Sequence, residues 1–282
     1  MAGVFCRPEK AGAKPDALRE AAQALGLPVF QFSSLKSDFA LRAMRELDAD
    51  IGVMAYVLQF APQDFVNIPR HGTIQYHPSL LPRHRGPSAI SWAIALGETE
   101  TGLTVFRPTD GLDEGPIILQ KPCPIGPDET LGELYFNKLF PMGVAALLEA
   151  ADLVMGSRHE ERVQDESQAS YEGWVHDEES RIHWASHIDH VYNLVRACNP
   201  APGAWTMLDG VRVWLYDCRK HPVHAYGAVA GKPGDVAAIS DAAIEINAQG
   251  GRLEVLRLRP EGGKKMSAGE FARERGLAIA KS

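Results

Sequence analysis

A parallel-sheet α/β domain of Rossmann type, followed by a small OB-like β-barrel domain, is the fold this sequence predicts, and three observations carry the prediction. Short apolar or β-branched runs at 1–6, 29–31, 51–56 and 73–77 alternate with helical patterns at 16–25 and 35–47, the βαβ order of a parallel sheet. A polar stretch at 157–170, carrying Glu160, Glu161, Asp165 and Glu166, then interrupts the apolar patterning as a domain boundary does. Beyond it, strand-like runs at 204–208, 212–216, 234–239, 243–247 and 253–258 are separated by Gly-rich turns, the spacing of a small barrel. The expected division is a first domain over 1–156, an exposed linker over 157–170 and a barrel domain over 171–282.

Each element has a local reason. The 16–25 helix places Ala and Leu at helical spacing and ends at Gly26 and Pro28. The 73–77 run, Thr-Ile-Gln-Tyr-His, reads as a buried strand that stops at Pro78, which has no amide hydrogen for a ladder. Residues 87–96 form a helix whose first turn carries Pro87, where a missing amide does no harm. Runs at 103–107 and 117–120 are further strands around a Gly-flanked loop. Leu and Ala recur at helical intervals over 130–156, with a break expected at Pro141. In the second domain a helix over 186–198 precedes the Asn199-Pro-Ala-Pro-Gly203 turn, and a helix over 267–275 follows the strands.

Composition narrows the class. With 282 residues the chain has length for two domains, and 45% apolar with 23% charged residues is the balance of a soluble globular protein. A formal charge of −7 argues against indiscriminate nucleic-acid binding. Cys6, Cys123, Cys198 and Cys218 are scattered without a Cys-x-x-Cys pair, so reduced thiols in a cytoplasmic protein are expected, with no zinc cage. Apolar runs stop short of membrane-spanning length and no leader pattern opens the chain, so no membrane partner is expected. His183, His187 and His190 share a helical face if the helix starts early, but no further ligand completes a metal set, and a surface face is the reading.

The chemistry concentrates in two loops, Thr73 to Gly86 and Asp110 to Gly115. Side chains alternate along a strand, so Gln75 and His77 project from one face at its carboxyl end, where open α/β sheets place ligands. An amide and an imidazole side by side suit a carbonyl oxygen that is gaining negative charge. Asp113 lies in the loop between the next two strands, and such a loop brings a carboxylate back over the same sheet edge. Gln75 and His77 on the oxyanion side with Asp113 as proton acceptor make machinery for attack on an acyl carbon without a Ser or Cys nucleophile. Taken singly, His77 also reads as a structural histidine and Asp113 as a turn former.

His-Pro-Ser-Leu-Leu-Pro-x-x-x-Gly from His77, followed by Asp-Gly-Leu-Asp-x-Gly from Asp110, resembles the folate-dependent formyltransferases, and the resemblance extends to Asn-Pro and Pro-Gly-Ala-Trp around residue 200 and Gly-Lys-Lys-Met at 263–266. It implies a 10-formyltetrahydrofolate donor and no metal, with the family's catalytic His on His77 and its catalytic Asp on Asp113. Gln75 stands where the transferases carry Asn, a departure of one methylene. The regions flanking the pterin in the family fall on Leu58, Gln59 and Phe60, and on Ser79, Leu80, Pro82, Gly86, Asp110 and Gly111; core packing explains Leu58 and Phe60 equally well. Arg83, His84 and Arg85 form a small cationic loop that a substrate anion could use. Family members open with a further strand, a Gly-containing turn and a helix that have no counterpart here, so a truncated start is expected, with two ladders left unpaired.

These features lead to an enzyme that moves the formyl group of 10-formyltetrahydrofolate to an amine or to water. The short link over 7–16 mixes Arg7, Glu9, Lys10, Lys14 and Asp16, where tRNA-specific relatives carry a long basic loop, so methionyl-tRNA is a disfavoured acceptor. The short link and the motif variants resemble most the amino-terminal hydrolase region of 10-formyltetrahydrofolate dehydrogenase. Gln75 and the short start also motivate a rival, a folate-binding regulatory homologue with impaired catalysis.

Overall fold

The computed structural model describes residues 1–9, 12, 14–57, 59–224 and 231–279. By packing these divide into two units, Met1–Arg85 with Gly102–Pro122 and Pro141–Ser170, and Gly86–Thr101 with Cys123–Phe140 and Tyr171–Ser282.

In the first unit β1 (Val4–Cys6) pairs in parallel with β2 (Val29–Gln31), joined through helix α1 (Ala17–Ala24). Asp16 caps α1 by accepting hydrogen bonds from the Leu18 and Arg19 amides. Helix α2 (Asp38–Glu46), capped by Ser37, buries Ala40, Ala43 and Met44. Strand β3 (Gly52–Met54) then leads through the short α3 (Gln63–Val66) to β4 (Thr73–His77), with which it pairs in parallel. After helix α4 (Ala89–Ala95), which belongs to the second unit, strand β5 (Glu100–Phe106) lies antiparallel to β4, and β6 (Ile117–Pro124) completes the order β3-β4-β5-β6.

Two features differ from one continuous parallel sheet. The direction reverses at β5, a reversal the sequence does not signal, since an apolar run encodes burial on both faces and not strand direction. The sheet is also divided: among the described residues β1–β2 and β3–β6 are separate ladders. Side chains span the division. The Phe5 ring stacks on Phe30 at 5.0 Å and meets Phe65 of α3 edge-on at 5.2 Å, within a cluster that includes Leu35, Ala40, Met44 and the partly buried Met54 of β3.

Helix α5 (Leu131–Leu134) starts with a reciprocal capping box between Thr130 and Glu133. A π-type turn (Tyr135–Leu139) separates it from α6 (Phe140–Met155). Pro141 explains the wide turn, since it offers no amide to the carbonyl four residues back. Ala146, Ala150 and Val154 of α6 pack on Ile74, Leu103 and Val105 of β4 and β5, which fixes the strand that carries His77.

The second unit holds helix α7 (Ile188–Ala197) and six strands: β7 (Ala204–Leu208), β8 (Val211–Pro222), β9 (Val236–Ile239), β10 (Ile244–Ala248), β11 (Gly251–Pro260) and β12 (Met266–Ser267). The order is β7-β8-β11-β10-β9, with β12 on β11, and every pairing is antiparallel among the described residues. Among the described residues no ladder closes this sheet into a barrel. Ile188, Val191 and Val195 of α7 and Phe271 of α8 (Ala268–Arg275) fill its inner face with Val213, Leu215, Ile244 and Leu253. His187 serves as the N-cap of α7, its Nδ1 accepting from the Asp189 amide, and no metal-ligating cluster occurs among the described residues. No helix of the described residues is long and apolar enough to cross a membrane.

Candidate active site

His77 ends β4 with its side chain only 7% exposed, and its two ring nitrogens face different partners. Nε2 lies 2.8 Å from the His84 carbonyl oxygen. A carbonyl can only accept, so Nε2 carries the proton and Nδ1 is the basic nitrogen. Nδ1 faces Asp113, 3.5 Å from Oδ2, and the Asp113 side chain is itself 6% exposed. The strand end and the distant loop therefore bring an imidazole and a carboxylate together in a nearly dry site. Burial holds the His77 pKa below its ordinary value; the Asp113 charge and the His84 carbonyl oppose that shift, and the His84 imidazole adds to it.

The loop carrying Asp113 is tightly constrained. Asp113 adopts φ 56, a left-handed conformation that Asp tolerates better than most residues. Gly115 comes so close to the Arg107 carbonyl that a side chain has no room, while the space beside Gly111 is taken by the movable Glu114 carboxylate. Below the site, Thr104 Oγ1 donates to the Ser79 carbonyl at 2.7 Å and accepts from the Leu81 amide and the Gln120 side chain.

Gln75, two residues before His77 on the same strand face, is half-buried, and its side chain makes no hydrogen bond among the described residues. Asp110 is exposed in the Asp113 loop, and Gly111 lies beside it. The other residues expected near the folate have varied surroundings. Ser79 is fully buried and donates to the Arg83 carbonyl at 2.6 Å, while Leu80 packs against Gly102. Pro82 follows a cis peptide bond and Gly86 adopts φ 110 against the Glu172 carbonyl, within the second unit. Gln59 donates to the Phe32 carbonyl at 3.0 Å, and the Phe60 ring is 53% exposed with the Lys36 ammonium 4.8 Å from its centroid. Leu58 lies outside the described residues, as does Lys10.

The cationic loop and the linker differ from expectation. His84 and Arg85 are 3% and 6% exposed, and Arg85 is held by Gln164 and Glu166, so its guanidinium is not free for a substrate anion. The hydrogen bond and charge of Glu166 hold its pKa above the ordinary value against the cost of burial. Gln164, in the stretch read as an exposed linker, is 5% exposed and donates to the carbonyls of Asp113 and Gly115, both at 2.8 Å. Nothing in the sequence singles it out from its polar neighbours. A cavity of about 340 Å³ lined by Asn67, His71, Thr73, Arg107 and Glu161 opens at the other end of β4, away from His77. Arg107 there is bound to Glu161 and to the His71 carbonyl, both at 2.8 Å, a structural arrangement.

Comparison with known proteins shows the family of the chain. Over 286 residues the chain is 36% identical to the mitochondrial 10-formyltetrahydrofolate dehydrogenase of Homo sapiens, covering 96% of this chain but 30% of that protein, so the chain spans less than a third of the relative's length. It is 35% identical over 268 residues to the methionyl-tRNA formyltransferase of Geobacter metallireducens, covering 94% and 84% of the two chains. Among solved structures, HypX from Aquifex aeolicus in complex with tetrahydrofolic acid has a TM-score of 0.69 at 20% identity over 99% of this chain and 48% of that one. An N-formyltransferase from Helicobacter canadensis, with folinic acid and dTDP-3-aminofucose, has a TM-score of 0.67 at 17% identity, covering 89% and 87%. The formyl transferase model matches residues 2–150 and the formyl transferase C-terminal domain model residues 175–276, and the chain belongs to the formyl transferase family.

Proposed function

We propose that the chain transfers the formyl group of 10-formyltetrahydrofolate to a small amine or to water, with His77, Asp113 and Gln75 as its catalytic residues. The observation that carries the proposal is the buried pairing of His77 Nδ1 with Asp113 Oδ2 at the carboxyl end of β4. The half-buried Gln75 amide, without a protein partner among the described residues, suits the formyl oxygen, and the exposed Phe60 ring offers a flat apolar surface for a pterin.

In this reading the acceptor's lone pair attacks the formyl carbon and its electrons pass to oxygen. The Gln75 amide steadies the resulting oxyanion, joined by His77, which is neutral at rest and becomes an imidazolium when Asp113 hands the acceptor's proton to its Nδ1, 3.5 Å away. Asp113 takes the proton that the acceptor loses. Collapse breaks the bond from the formyl carbon to the folate nitrogen, which receives a proton from His77. The products are tetrahydrofolate and the formylated amine, or formate when water attacks.

A small acceptor is favoured by the opening segment. Glu9 pairs with Arg19 at 2.9 Å and accepts from the Asp16 amide, so acidic groups there offset the cations a tRNA phosphate backbone would need. The test measures loss of formyl donor with water alone, with a panel of small amines and with initiator methionyl-tRNA. Turnover with water or a small amine is expected. Turnover that requires the tRNA would refute this choice of acceptor.

A further inference from the structure

His77 and Asp113 sit on separate loops, and each loop is held by the same third segment. The first loop returns from β4 to Arg85 and presents the His84 carbonyl that fixes the His77 ring. The second runs from Pro108 to Pro116 and carries Asp113. Residues 162–170 cross both. Arg162 and Ile117 exchange backbone hydrogen bonds at 2.8 and 2.9 Å, anchoring one end beside the Asp113 loop. At the other end Ser170 Oγ accepts from the His84 amide at 2.9 Å, the Ser170 carbonyl accepts from the Arg85 amide at 3.0 Å, and the Ser170 amide donates to the Pro82 carbonyl at 3.2 Å.

Gln164 joins the loops between these anchors. Its amide nitrogen donates to the carbonyls of Asp113 and Gly115, and its oxygen accepts from Arg85 Nη2 at 2.8 Å and Nε at 3.2 Å. An amide side chain has two donor hydrogens and two acceptor sites, so the hydrogen-bonding capacity of Gln164 is filled. One arm grips the left-handed Asp113 residue by its own carbonyl. The other grips the residue next to His84.

We propose that residues 162–170 are a strap that sets the spacing of His77 and Asp113, with Gln164 as its positioning residue. The inference rests on the proposed roles of His77 and Asp113 and adds a part that touches neither substrate nor reacting atoms. A linker polar enough to look solvated is thereby part of the site's supporting shell.

The full chain with Gln164→Leu keeps the volume and loses all four hydrogen bonds. Gln164→Asn keeps the amide but is one methylene too short to grip both loops, and it decides the matter if the Leu variant does not fold. Two readouts separate positioning from mere stability. The expected kcat falls at least about tenfold, because a displacement near one ångström is costly in a preorganised site, while KM for 10-formyltetrahydrofolate stays within about twofold. The His77 imidazole, followed by NMR, changes its titration midpoint by about 0.5 unit or more, since its interaction with Asp113 depends on their separation. A folded variant with kcat within about twofold of wild type, or with an unmoved His77 midpoint, overturns the strap. The midpoint is read even in a preparation that releases no formyl, so failure of the proposed activity and failure of the strap are told apart.

Discussion

Replacing Asp113 by Asn tests the pair at the point where geometry gives a magnitude. The substitution keeps the shape and removes the charge 3.5 Å from His77 Nδ1. At that distance, with an effective dielectric constant of about 20, a carboxylate favours the imidazolium by up to about 5 kcal/mol before the cost of burial is set against it. Burial is the larger influence, because the His77 pKa lies below its ordinary value despite the neighbouring charge. Loss of the carboxylate therefore makes the imidazolium still harder to form, and it also removes the proposed proton acceptor. A positioned general base contributes about 10² to 10⁴ in rate. The expected result for Asp113→Asn is a kcat at least about 100-fold lower in single-turnover formyl release, with folate affinity by calorimetry within about threefold. A companion NMR titration should find the His77 midpoint lower than in wild type. A loss of less than about tenfold, or a His77 midpoint that rises, would remove Asp113 from its proposed role beside His77.

Further expectations follow from burial and backbone geometry. His77 stays neutral in the fold while the same side chain in the unfolded protein takes a proton below about pH 6.5, so as pH falls through 6.5 toward the lowered folded value it costs stability, by up to about 1.4 kcal/mol per pH unit. Urea unfolding across that range should show a shallower loss in His77→Gln than in wild type; equal slopes would contradict the assignment. Gly86→Ala forces a Cβ against the Glu172 carbonyl at φ 110, and denaturant unfolding should register a loss of at least about 2 kcal/mol, with a neutral result refuting the geometry. Cys198 is fully buried and its thiol pKa is pushed up to about 12, so it should resist a thiol reagent at pH 8 in the native protein and react on unfolding, whereas prompt native labelling at that position would contradict the packing.

Much of the first unit was legible because its signals are local. Thr73 to His77 is a buried β-branched run stopped by Pro78, and a Gly-flanked Asp113 announces a loop that must return over the sheet. Gln164 gave no such signal: its role depends on four hydrogen bonds to residues 49 to 79 positions away, and hydrogen bonding leaves no periodicity in a polar run. The same limit applies to Arg85, whose flanking cations suggest a solvated cluster and whose burial is made possible by Glu166. Strand direction was equally hidden, since β5 is as apolar as a parallel strand yet runs antiparallel to β4. In the second unit β8 extends to Pro222 rather than stopping at Tyr216. Its last residues alternate exposed and half-buried side chains after the positive-φ Asp217, and pairing with β11, not burial, keeps them in the sheet.

Formyl transfer through His77 and Asp113 is tested by following a ¹³C-labelled formyl group on 10-formyltetrahydrofolate by NMR, with the full chain, water and a panel of small amines. The label is expected to leave the folate nitrogen and reappear as formate or as a formamide, and its departure is lost in the His77→Ala and Asp113→Asn variants. A label that stays on the folate with every acceptor, or that departs as fast without those two side chains, would contradict it.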